Sequence, residues 1–548
     1  MAAVAVRSDW SNVNRPFESE SIRLSRRQLL QAAGALGIGG AMTAPERAFA
    51  ASPSIGQRIV QKAAAVRPAG SDLGAIEHVI FLMMENRSYD HYFGSYKNGR
   101  GFNDHPADSY GVFAQEFPGG KSLIPSGVLL PFHLNVPQGD DCTTDLTHSW
   151  EPSHQAWNEG KMDSFVKVHT SIAYEGMPSG MMTMGYYTRQ DLEFYYAVAD
   201  AFTLCDAYHC SILGPTHPNR LMANSGWIDP AGTHGGPVTS TQSNPDVRWT
   251  ARWNTVQEVL EDAGISWKVY NPSNLDVVSD YAFLSEYPVW SPTLYAPGNP
   301  LSQAITDNIL QYFQAFRDPL TSLHQKAFLP TFPGEFMRDV AAGTLPSVSW
   351  LCPPEGFDEH PSSSPVRGEF YTSMVLNALA SNPEVWSKTV LFHMYDEADG
   401  WFDHLAGPFS WPGTPGEYLT GPNANQGDRG PLGLGFRVPL LVMSPFSRGG
   451  HIASEVFDHT SQLQFLNARF GIEVPNVSAF RRQAVGDLTS TLFNSPPDFD
   501  MPSLPVVPLP TLSLSGSCNE IDQDTDSGGA LPMVPAIQSM PSQEVVPT

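Results

Sequence analysis

Basic residues are scarce in this chain. Thirty-one Lys and Arg stand against 56 Asp and Glu, giving a formal net charge of −25 over 548 residues. No basic stripe is available to neutralise a phosphate backbone, so nucleic-acid binding is excluded as the main activity. Cysteine is also sparse and odd in number: Cys142, Cys205, Cys210, Cys352 and Cys518. The absence of any Cys-x-x-Cys pair argues against a zinc ribbon. Cys205 and Cys210 are spaced either to close a small loop or to sit as two buried thiols. No apolar run reaches the length of a membrane span, so no transmembrane span is expected. What the chain does have is a 41% hydrophobic content, enough for a large core, and 46 Gly and 48 Pro to loop around it.

The N-terminus carries a processing signature. Ser25-Arg26-Arg27-Gln28-Leu29-Leu30 precedes a mild stretch rich in Ala and Gly, and Ala48-Phe49-Ala50 supplies a small-x-small cleavage site. Twin arginines in this setting predict an export signal over residues 1–50, read by the twin-arginine export machinery. The mature chain is then expected to be secreted or associated with the cell wall. A lead-in over 51–75 follows, then a catalytic domain over 76–495, and finally a Pro/Ser-rich tail over 496–548, expected to be extended or disordered.

Short apolar runs ended by polar residues read as buried strands of a parallel sheet. His78–Met84 is the clearest, and it stops in Glu85-Asn86-Arg87-Ser88. Further strands are expected at 201–205, 266–270, 347–351, 389–394 and 438–443. Helical periodicity marks 184–201, 253–263, 301–327 and a segment from about Leu221, whereas 99–138 reads as surface loop. Strands alternating with helices predict an α/β fold with a mostly parallel sheet covered on both faces.

In such sheets, ligands bind beyond the carboxyl ends of the strands. Polar clusters recur at these ends: Glu85-Asn86, the turn Gly214-Pro215-Thr216-His217-Pro218, Asp358-Glu359-His360, Asp396-Glu397 with Asp403-His404, and Ser444–Arg448 leading to Asp458-His459. Any one of them is as readily a helix cap or a satisfied hydrogen-bond pair. Together, Glu85, Asn86, Asp396 and Glu397 make an oxygen-rich cage for a divalent metal, with zinc, calcium and magnesium all open. A hydroxyl such as that of Thr216 becomes a competent nucleophile beside a metal. His148 and His360 are placed to stabilise charge on a phosphoryl group, and His360 or His404 to protonate a leaving alcohol.

The segments Met84-Glu-Asn-Arg-Ser-Tyr-Asp-His-Tyr-Phe-Gly94, Gly214-Pro-Thr-His-Pro-Asn-Arg220, Asp358-Glu-His-Pro361, Tyr395-Asp-Glu397, Phe402-Asp-His404 and Phe457-Asp-His-Thr-Ser461 occur in unbroken order. This set resembles the bacterial phosphoesterase family of exported phospholipases C and acid phosphatases. Gly435-Phe-Arg-Val-Pro439, Ser444–Gly449 and Met540-Pro-Ser-Gln-Glu544 are most similar to its actinobacterial, mycobacterial-type phospholipases C. The resemblance implies an alkaline-phosphatase-like α/β/α core with loop and helical insertions. It also implies metal binding through Glu85, Asn86, Asp396 and Glu397, with Thr216 as the nucleophile and a further metal contact. His148 and His360 would then contact the phosphoryl group, with His404 a further candidate. Ala398-Asp399 departs from the family pattern, which leaves the geometry of that loop open. The implied activity is that of a phosphoric diester hydrolase acting on phosphatidylcholine-like phospholipid at a membrane surface. A phosphomonoesterase of the same family is the alternative, and a non-catalytic lipid- or wall-binding protein a third.

Overall fold

The computed structural model describes residues 73–508, apart from 139, 141–142, 174, 242–249, 273–307, 355, 362 and 421–427, together with 534–545 apart from 536. The expected export signal, most of the lead-in, Cys142, Cys518 and residues 301–307 lie outside the described residues.

Eight strands form the central sheet: β1 (His78–Met84), β2 (Thr203–Cys205), β3 (Trp267–Pro272), β4 (Thr331–Phe332), β5 (Val348–Leu351), β6 (Thr389–Tyr395), β7 (Leu440–Met443) and β8 (Ile452–Ala453). Their order is β8-β2-β7-β6-β1-β5-β3-β4. All neighbours pair in parallel except β7, which runs against both β6 and β2. The chain therefore has an α/β fold with a mostly parallel sheet. β6 is buried along its whole length and β1 nearly so, as central strands covered on both faces must be.

Several expectations are corrected. The segment 184–201 is not one helix: Gly185–Tyr186 pairs in parallel with Phe132–His133, and the helix starts only at Glu193. Asp191 accounts for the delay, because its carboxylate accepts from the Thr188 N–H and hydroxyl and closes a turn there. The region 99–138 is not all surface loop. Gln115–Glu116 pairs with Val128–Leu129, and Phe102, Phe113 and Phe117 are buried. The described part of 301–327 breaks into two 3₁₀ turns and a helix, Ser322–Phe328. Proline at 319 removes a donor there, and the Thr321 hydroxyl caps the new start. Cys205 and Cys210 are both free and buried, so they close no loop.

The antiparallel sense of β7 has the largest consequence. It carries Ser444–Arg448 to the edge opposite the strand ends of β1 and β6, where the Ser444 hydroxyl donates to the carbonyl of Thr389, the first residue of β6. That polar cluster leaves the candidate site. The segment entering β7 instead brings Arg437 to Asp90 and Asp403. The described tail residues 534–545 reach the catalytic domain. Gln543 is buried, its amide donates to the Tyr96 carbonyl at 2.7 Å, and Glu544 accepts from Arg189 at 2.7 and 2.8 Å.

Candidate active site

The two halves of the site meet because of strand register. β1 and β6 pair in parallel from His78 opposite Thr389 to Met84 opposite Tyr395. The next residue on each strand is therefore Glu85 and Asp396, side by side, and the Asp396 N–H donates to the Met84 carbonyl at 3.1 Å. Asn86 follows with φ at +63°, a left-handed conformation that asparagine tolerates better than most residues. Its N–H faces Asp396 Oδ1 at 3.4 Å. Its side chain is fully buried, with neither Oδ1 nor Nδ2 hydrogen-bonded.

Helix α1 (Tyr89–Phe93) starts just beyond, capped by the Ser88 hydroxyl. Helix α3 (Thr216–Ser225) brings the third component. Sequence reasoning reads Thr216 as a turn residue and starts the helix near Leu221, but Thr216 is the first helical residue. Asn219 sets that start: its Oδ1 accepts from the Ile212 N–H at 2.8 Å, and its Nδ2 donates to the Gly214 carbonyl at 2.9 Å. At the first position of a helix, a side chain lies beside unpaired backbone N–H groups and the positive end of the helix dipole, which favours bound anions.

One turn along the same face is Arg220, a residue with no role in the sequence reading. Its Nε donates to Asp396 Oδ2 at 3.0 Å and its Nη2 to Glu85 Oε1 at 2.9 Å, with all three side chains buried. The (i, i+4) spacing of Thr216 and Arg220 would have revealed the link had the helix been started at Thr216.

His148 precedes helix α2 (Trp150–Trp157). Its Nδ1 lies 2.6 Å from Asp399 Oδ1, and its Nε2 lies 3.3 Å from Glu397 Oε1. Burial works against protonation of this ring, but Glu397 and Asp399 outweigh it and hold the pKa well above that of an ordinary histidine. Burial pushes the Glu397 carboxyl well up. Asp399, at the departure from the family pattern, thus supplies the carboxylate that orients His148, and its other oxygen accepts from the Leu146 N–H at 3.1 Å. The His360 ring stands 6.3 Å from that of His148. Burial lowers the pKa of His360, but Asp145, Asp358 and Asp399 raise it more, so the net shift is upward.

His404 lies in a neighbouring ion-pair cluster. Its Nδ1 is 2.6 Å from Asp90 Oδ2, and Arg437 ties Asp90 and Asp403 together at 2.9 Å each. Burial opposes protonation, but Asp90 prevails and the pKa rises to about 9. A pKa above the unfolded value of about 6.5 stabilises the fold fully below that pH, and the contribution disappears as pH rises through about 9. Chemical denaturation should accordingly show His404→Gln destabilised at about pH 6 and closer to wild type at about pH 10. An equal difference at both would contradict the assignment. Asp458 is a helix cap: it begins helix α4 (His459–Phe470), accepts from Thr460 N–H and binds Arg481. His459 Nε2 lies 2.6 Å from the Asp396 carbonyl oxygen, bracing the end of β6.

The donor set fits a hard divalent cation. It offers three carboxylates and one amide, with the Asn86 side chain buried and without a hydrogen bond. Among the described residues, the acids and histidines whose ligand atoms already lie within 4.8 Å of one another are instead Asp145, His148 and His360, and Asp90, Asp403 and His404. Asn86→Ala should lower metal affinity by at least about 100-fold. Asn86→Gly, which keeps the left-handed backbone at no steric cost, should lose metal equally while unfolding close to wild type. Metal retention by both variants in calorimetric titration would remove Asn86 from the ligand set.

A family model described as the phosphoesterase family matches residues 76–473. The chain is 42% identical to phospholipase C A of Mycobacterium tuberculosis, over 89% of this chain and 92% of that one. It is 39% identical to phospholipase C B of the same organism, over 96% and 97%. With the non-hemolytic phospholipase C of Burkholderia pseudomallei it shares 39% identity, over 89% of this chain and 68% of that one. A solved structure from the alkaline phosphatase superfamily, from Vibrio parahaemolyticus, aligns over 70% of this chain and 81% of that one. Its 11% identity and TM-score of 0.25 carry no weight. The chain belongs to the phosphoesterase family.

Proposed function

We propose that the protein is an exported phospholipase C, hydrolysing phosphatidylcholine-like lipids to diacylglycerol and a phosphorylated head group. The observation that carries this reading is the convergence of Glu85-Asn86 and Asp396-Glu397 at one in-register strand pair, tied by Arg220 to the helix that begins at Thr216. The high identity to relatives named phospholipase C supports a diester rather than a monoester substrate. Among the described residues, no helix is long and apolar enough to cross a membrane.

In this reading, Glu85, Asn86, Asp396 and Glu397 would hold a divalent metal, with Thr216 beside it. A bound cation would supply charge stabilisation for the phosphoryl oxygens and a lowered pKa for the nucleophile. Thr216, its proton given up to solvent, attacks phosphorus as the alkoxide, its N-terminal helix position favouring the negative charge. His148, oriented by Asp399 and held cationic, donates to an equatorial oxygen. His360 protonates the departing glycerol oxygen. Water then attacks the phosphorylated threonine and frees the head group. His404, engaged by Asp90 and Arg437, is assigned no step.

Release of phosphocholine from phosphatidylcholine should exceed release of phosphate from p-nitrophenyl phosphate, and a chelator should abolish both. A strong preference for the monoester would favour the acid-phosphatase reading. Full activity after metal removal would overturn the metal site.

A further inference from the structure

His360 lies on the segment that joins β5 to the helix Pro365–Ala380. Its Nδ1 is 3.0 Å from the Pro361 carbonyl oxygen, which makes Nδ1 a donor and leaves Nε2 to exchange a proton. The end of β1 grips the backbone around it. The Glu85 N–H donates to the Asp358 carbonyl at 2.7 Å. Arg87 Nε donates to the Glu359 carbonyl at 2.9 Å, and its Nη2 donates to the Ser363 carbonyl at 3.0 Å. The Ser363 N–H in turn donates to the His360 carbonyl at 2.7 Å.

One guanidinium therefore holds the chain on both sides of His360, a reach that depends on its planar fork. Its remaining nitrogen, Nη1, donates to His91 Nε2 at 3.1 Å, and His91 Nδ1 donates to the Gly185 carbonyl at 2.7 Å. The rings of Tyr92 and Trp401 flank the guanidinium, each with its centroid at 5.8 Å.

Glu359 holds the same backbone from within the core. Its φ of +74° is a left-handed conformation that a residue with a side chain keeps only where its surroundings hold it. Those surroundings are three tyrosine hydroxyls. Tyr92 donates to Oε2 at 2.5 Å, Tyr395 to the same oxygen at 2.8 Å, and Tyr195 to Oε1. The rings come from α1, from the end of β6 and from the helix Glu193–Ala201. Gly368 leaves the carboxylate its room, since a Cβ there would fall on Oε1. Arg87 and Glu359 are both fully buried, so neither meets substrate. Burying two ionisable side chains is costly for stability alone, and what this pair fixes is the place of the histidine between them and the rest of the site.

We propose that Arg87 and Glu359 are positioning residues for His360, aligning its ring beside that of His148 for proton donation to the leaving oxygen. The assignment rests on the reading in which His360 protonates the departing alcohol.

The test uses the leaving group. An alkoxide needs a proton as it departs, whereas p-nitrophenolate leaves unaided. Arg87→Lys keeps the charge and loses the fork. It should lower kcat/KM for phosphatidylcholine by about 100-fold, and that for p-nitrophenylphosphocholine by no more than about threefold. Tyr195→Phe removes one hydroxyl and little volume, so it carries the test if Arg87→Lys does not fold. Its expected loss is about tenfold on the lipid, with the aryl ester hydrolysed at close to the wild-type rate. In a His360→Ala background, either change should leave the ratio of the two substrates where His360→Ala alone puts it. Equal losses on both substrates, or effects that add in full to His360→Ala, would make the clamp a purely structural tie and overturn the proposal. Hydrolysis of phosphomonoesters but of no phospholipid would overturn the phospholipase reading separately. The same contrast between glycerol 3-phosphate and p-nitrophenyl phosphate would then support the positioning role, and its absence would overturn that too.

Discussion

Thr216→Ala is expected to reduce phospholipid turnover by at least about 10⁴-fold, the scale on which removal of a nucleophile acts when the rest of a site stays in place. The substitution is well suited to the question. Alanine is the best helix former, and Thr216 occupies the first position of α3, where the start is set by Asn219 and the preceding loop. The fold and the Arg220 contacts one turn later should survive, so a thermal midpoint near that of wild type is expected alongside the loss of activity. Rapid-quench experiments on wild type should trap phosphorus on the chain, and the variant should trap none. Thr216→Ser should keep substantial turnover, since it keeps the hydroxyl. Near-normal turnover by the alanine variant would instead point to direct displacement by water.

Much of this arrangement is legible in the sequence because it depends on strand ends. The apolar run before Glu85 and the one before Asp396 are each unmistakable, and the rule that ligands gather at the carboxyl ends of parallel strands then joins residues far apart in the chain. The same rule misplaces Ser444–Arg448, because strand direction is not written in a four-residue apolar segment. Leu440–Met443 is as buried as a parallel strand and runs the other way. For the same reason nothing in the sequence marks the role of Arg437, which is fully buried and ties together Asp90 and Asp403. In the sequence, Asp399 stands out only as a departure from the family pattern. Its function emerges from the left-handed backbone, φ +55°, that turns its carboxylate toward His148.

Arg220→Met should be the most destabilising single change in the site. The guanidinium bridges two carboxylates, with side-chain exposures of 6% for Glu85 and 0% for Asp396. Removing one partner of a buried ion pair leaves uncompensated charge, which costs about 3–5 kcal/mol. Methionine fills much of the same volume, so the loss measured by chemical denaturation reports charge rather than a cavity. The more informative result concerns metal. If Glu85 and Asp396 are ligands, losing the arginine makes them a stronger attractant for a divalent cation. The same metal concentration should then raise the thermal midpoint of the variant more than that of wild type, because binding to the folded state alone stabilises it in proportion to affinity. Arg220→Lys should fall between the two, since a single ammonium cannot reproduce the fork that reaches both carboxylates. An identical metal-induced shift in wild type and Arg220→Met would mean that the arginine is a purely structural tie and that the cation binds elsewhere. A larger shift in the variant would make Arg220 the residue that holds the two halves of the cage together before the metal arrives.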